Sequence, residues 1–198
     1  ADTAVTTIGY KSGTVVTSST SNITITDDSM TLAAGNGLQV NTAGKLTVQP
    51  YGNNFTSLTY PITDFAVSSD VSGLTIGKDL GSTAHTDTVT IAGTTSIAGP
   101  INVYAGTINV NSNLSSTLAN AAITLKASGD ITDGANGNLV GNTNGLVNAV
   151  STGGKIVLDR NDAITTDGWD ADRMLAFLGQ AGALPDAGIP ASEKPPAK

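Results

Sequence analysis

Residues 88–134 read TVTIAGTTSIAGPINVYAGTINVNSNLSSTLANAAITLKASGDITDG. Within this stretch aliphatic and small polar residues alternate in short strings: Val89-Thr90-Ile91, Ile101-Asn102-Val103, Ile108-Asn109-Val110 and Ile123-Thr124-Leu125. A period of two sends successive side chains to opposite faces of a strand. Each string therefore turns two aliphatic residues inward and one Thr or Asn outward. The same text continues on both sides, in Ile23-Thr24-Ile25, Leu38-Gln39-Val40, Leu46-Thr47-Val48, Leu74-Thr75-Ile76 and Ile156-Val157-Leu158. Gly and Asn fill the gaps, as in Gly35-Asn36-Gly37, Gly52-Asn53-Asn54, Gly134-Ala135-Asn136-Gly137 and Gly153-Gly154. Such residues reach left-handed backbone cheaply and turn the chain at once.

The spacing of the strings suggests how they are arranged. Ile23 to Leu38 and Ile108 to Ile123 are each 15 residues, and Leu38 to Leu46 and Ile123 to Ile131 are each 8. Leu74 to Val89 is again 15. A recurring circuit of about 23 residues is the length of one solenoid coil. A β-sandwich also spaces short strands at 8 to 12 residues, but it packs larger core residues. Here aromatics are 4 % of the chain, and the strings hold Val, Ile and Leu that suit a narrow interior. The expected fold is all-β: a right-handed parallel β-helix, or β-solenoid, over 21–167. In this reading Ile101, Val103, Ile108, Val110, Ile123 and Leu125 share one buried column, and six or seven coils make the rod.

Composition agrees and excludes several functions. Thr occupies 29 of 198 positions and Asn 16, and all but one of the 16 acids are Asp. Charged residues are only 13 %; a helical bundle needs far more Glu and Lys. The net charge is −7 with two arginines, Arg160 and Arg173, so no basic patch exists for phosphates and nucleic acid is not an expected partner. With no cysteine, disulfides, Cys-ligated metals and thiol nucleophiles are excluded. No apolar run reaches the length of a membrane span.

The ends read differently. Residues 1–20 are Thr- and Ser-rich and form an N-terminal arm or a first coil. Residues 168–198 leave the alternation. Asp170 is placed to cap a helix whose one face carries Met174, Leu175 and Leu178, with Phe177 beside it, and Pro185, Pro190, Pro195 and Pro196 follow as a tail. That helix is expected to cap the solenoid or connect it to another subunit.

Chemistry is sparse. The one histidine, His85, lies in Ser82-Thr83-Ala84-His85-Thr86-Asp87 and reads as a solvated loop residue, because no local partner builds a zinc site or a triad. The carboxylate pairs Asp27/Asp28, Asp130/Asp133 and Asp159/Asp162 raise a glycosidase reading. Their neighbours are mostly Gly, Asn and Ser, which favours turn capping. Asp159, Asn161 and Asp162 are the candidate Ca²⁺ ligands, although no complete calcium loop surrounds them. The chain is read as non-enzymatic, with no cofactor.

The phrases Ala98-Gly99-Pro100-Ile101-Asn102-Val103-Tyr104, Gly106-Thr107-Ile108-Asn109-Val110-Asn111 and Ile123-Thr124-Leu125-Lys126-Ala127-Ser128-Gly129-Asp130-Ile131 resemble the filamentous-haemagglutinin-like large exoproteins of Gram-negative bacteria. The resemblance spans roughly residues 70–166. It implies a right-handed parallel β-helix, a secreted or cell-surface location, and a role in adhesion to a glycan, a host or cell surface, or another copy. The secretion domain that opens such proteins carries Asn-Pro-Asn phrases, and this chain has no Asn-Pro. The resemblance therefore implies a shaft or C-terminal segment. The expected function is a structural and adhesive rod. A self-assembling subunit of an extracellular fibre or sheath is the alternative, and a polysaccharide-active β-helix enzyme the second.

Overall fold

A computed structural model describes residues 14–17, 20, 22–28, 38–61, 65–141 and 145–157. Alternating strings with turn formers between them give seventeen short strands. In chain order they are β1 Thr14–Thr17, β2 Ile23–Thr26, β3 Leu38–Asn41, β4 Lys45–Gln49, β5 Leu58–Tyr60, β6 Phe65–Val67, β7 Gly73–Ile76, β8 Thr88–Ile91 and β9 Thr95–Ile97. They continue with β10 Ile101–Ala105, β11 Thr107–Val110, β12 Leu114–Ser116, β13 Ile123–Ala127, β14 Ile131–Asp133, β15 Leu139–Val140, β16 Val147–Ser151 and β17 Ile156–Val157.

Among the described residues every pairing is parallel and none joins neighbours in sequence. The first face stacks β2, β4, β7, β10, β13 and β16, and the second stacks β5, β8, β11, β14 and β17. The third position in the circuit is filled by β1, β3 and β6 and later by β9, β12 and β15, as two separate ladders. A chain that returns to the same face once per circuit, always in the same direction, is a β-solenoid. Six strands on the first face make about five turns, and the usual interstrand spacing sets roughly 24 Å between its end strands. Among the described residues this is fewer than the six or seven coils expected.

Register explains which spacings carried information. On the first face Ile23 pairs Leu46, Leu46 pairs Leu74, Leu74 pairs Ile101, Ile101 pairs Ile123 and Ile123 pairs Val147. The circuit is 23 residues at first, then 28, 27, 22 and 24. The recurring 15 has no single meaning. Leu74 to Val89 runs from the first face to the second, whereas Ile108 to Ile123 runs from the second face past β12 to the first. Only the closed circuit was a structural quantity.

The inward positions form one apolar cluster, in which Leu46, Ile76, Val89, Ile101, Ile108 and Ile123 are fully buried. Burying an aliphatic side chain contributes about 1.5–3 kcal/mol, and such residues recur on every rung. The six residues expected in one column are all buried, but they occupy two ladders. Ile101 and Val103 stack on Ile123 and Leu125, while Ile108 stacks on Val89 and Ile131. A corner separates the two ladders, because Gly106 turns the chain between β10 and β11.

Candidate functional site

Two polar columns run along the outside. On the first face Thr24, Thr47, Thr75, Asn102, Thr124 and Asn148 are register partners in succession. On the second face the column is Thr59, Thr90, Asn109 and Thr132, ending at Val157. The expected outward residues are all present, divided between two faces. Neighbours along the second column bond each other: Thr132 Oγ1 donates to Asn109 Oδ1 at 2.8 Å, and Asn109 Nδ2 to Thr90 Oγ1 at 3.5 Å. These links orient the hydroxyls and amides while leaving part of their capacity free.

The second feature is a strap. Between the first and second faces the chain needs only Gly106 on one rung, but takes residues 77–87 on the rung before it. Gly77 starts this excursion with φ +84, and a Cβ there would overlap the Tyr104 carbonyl, so the turn requires glycine. The strap is tied to three rungs. Lys78 Nζ donates to the Tyr51 and Gly52 carbonyls at 3.0 and 2.6 Å, and Thr86 N donates to Asn54 Oδ1 at 3.0 Å. Farther along the solenoid, Lys126 Nζ meets Asp79 Oδ1 at 2.8 Å, and His85 N donates to Ser128 Oγ at 2.7 Å.

Asp87 closes the strap. Its buried carboxylate accepts from Phe55 N at 3.1 Å and from Gly106 N at 2.8 Å. Two charge-assisted bonds to backbone N–H groups on either side join three successive rungs. Gly106 has no room for a side chain, since a Cβ would press into the backbone of Thr86 and Asp87.

His85 is packed rather than solvated: its side chain is 7 % exposed. Its Nδ1 faces Asp87 Oδ1 at 3.7 Å, is cut off from solvent, and has no hydrogen-bond partner. Residues 43 positions away in sequence supply its surroundings, which is why the local text did not show them. Between strap and rungs lies a cavity of about 280 Å³ lined in part by Leu80, Thr83, His85, Lys126, Ser128 and Thr152. Lys126 donating to Asp79 holds that carboxyl below its ordinary range, aided by Gly81 N. Burial raises the neighbouring Tyr104 hydroxyl, with the Asp79 charge adding to it.

Of the other acidic candidates, Asp28 and Asp130 bond to backbone. Asp28 Oδ1 accepts from Tyr51 N at 2.6 Å and Asp130 Oδ1 from Lys155 N at 2.8 Å. Among the described residues no three His, Asp or Glu side chains converge on a common point. Asp159, Asn161 and Asp162 lie outside the described residues, as do Met174, Leu175, Phe177 and Leu178 with their expected helix. Sequence reading missed Asp79, Asp87, Lys126 and Ser128. A signal was present, because the gap from Ile76 to Thr88 is the longest between these two faces. No family model, curated protein or solved structure matches the chain.

Proposed function

We propose that this chain is a non-enzymatic structural and adhesive rod segment of a secreted or surface-bound bacterial protein. The carrying observation is the first-face column, in which six consecutive rungs present Thr or Asn at one outward register position. At about 4.8 Å per rung this gives a regular, uncharged row of hydroxyls and amides, suited to a repeating hydroxylated surface such as a glycan. The sense of winding is right-handed, as parallel crossovers almost always are. The resemblance to filamentous-haemagglutinin-like exoproteins supports the location on or beyond the cell surface.

The test is adsorption to immobilised neutral polysaccharides. The wild type is expected to adsorb, and Thr75→Lys with Thr124→Lys to lose most of it while keeping the wild-type circular dichroism. Absent adsorption, or adsorption that ignores the double substitution, overturns the reading. Assembly into a fibre is the second reading, favoured by the last described rung, where Leu146, Ile156 and Val157 are 54, 44 and 51 % exposed. Concentration-dependent elongation by sedimentation velocity supports it; a monomer at every concentration removes it.

A further inference from the structure

We propose that the cavity beneath the strap binds a single neutral saccharide unit, an inference that rests on the adhesive reading and gives it a second, separate contact point. At about 280 Å³ the space lies just under the lower bound for drug-sized ligands, so it suits a guest of about one ring. The ammonium of Lys126 is already matched by Asp79, which leaves no free cation for a phosphate or sulfate. What remains is hydroxyl, imidazole and short apolar surface.

His85 gives the cavity its directionality. Nδ1 faces the Asp87 carboxylate, whose two backbone bonds leave lone pairs free. The opposite nitrogen, Nε2, lies on the far edge of the ring from that carboxylate. A sugar hydroxyl, donor and acceptor at once, bonds to that edge, while Thr83, Ser128 and Thr152 hydroxyls and the remaining Lys126 protons donate to sugar oxygens. Leu80 and Ala127 supply apolar surface for the C–H groups of the ring.

Saturation-transfer NMR tests this with four probes: glucose, galactose, mannose and N-acetylglucosamine. At least one is expected to show transfer, with its affinity falling more than tenfold in Thr83→Trp, which fills the cavity from an exposed position, and in His85→Phe. The Thr75→Lys, Thr124→Lys protein is expected to keep the signal. Silence from all four probes, or a signal unchanged in Thr83→Trp, overturns the cavity. Failure of the adhesive reading looks different: polysaccharide adsorption is absent while the Thr83-dependent monosaccharide signal persists.

Discussion

The corner between the first and second faces is crossed by one residue after β10 and by eleven after β7, yet the strands on either side keep the same register. Thr88 still pairs Thr107 and Val89 still pairs Ile108. The ladder thus sets where each strand lies, and the corner absorbs whatever length the sequence inserts. The short corner is held by close packing, with Gly106 pressed against Asp87. The long one is held by polar ties to three rungs, and it encloses space that the short one cannot. Stability therefore resides in the inward columns, and distinctive chemistry in the insertion.

Substitutions break this contrast to different degrees. The largest effect is expected at Ile123, fully buried between Ile101 and Val147. Ile123→Asp buries an unpaired charge and should cost at least about 4 kcal/mol in chemical unfolding. Next is Asp87→Ala, which orphans two buried N–H groups and should cost about 2–4 kcal/mol. A loss below about 1 kcal/mol would show that the strap is not held through Asp87. Gly106→Ala, forced into the Asp87 backbone, should cost about 1–3 kcal/mol, whereas Gly52→Ala, with nothing within 4 Å, should stay near neutral. Equal losses at the two glycines would contradict the tight corner.

The smallest effect belongs to the exposed Asp79–Lys126 pair, within about 1 kcal/mol. Because Lys126 lowers the Asp79 carboxyl, the pair stabilises the fold above the ordinary carboxylate value of about 4 and loses this as pH falls through the lower folded value. Asp79→Asn should flatten that acid-side decline in a thermal-melt series. An unchanged pH profile would mean the pair does not hold the strap.

Legibility in the sequence follows the same division. Strings with two aliphatic residues, such as Leu46-Thr47-Val48 and Ile101-Asn102-Val103, identified their strands because inward and outward positions differ in character. β12, Leu-Ser-Ser, and β15, of two residues, each offer a single aliphatic residue facing inward, so their period cannot be read. β9 places the hydroxylated Thr95 inward and buried, against the pattern. The site was harder still. Asp87 stands two residues from His85, but Phe55, Gly106 and Ser128 reach them only because rungs stack, and the order of stacking is a property of the closed circuit.

That stacking is tested most directly by distance measurement between spin labels on the first-face column. The chain has no cysteine, so paired substitutions label cleanly. With one label at Thr24 and the second at Thr75, Thr124 or Asn148, separations of two, four and five rungs should give distances rising by about 4.8 Å per rung, to roughly 24 Å for the last pair. Distances that do not increase in this order would contradict the parallel solenoid and the outward column built on it.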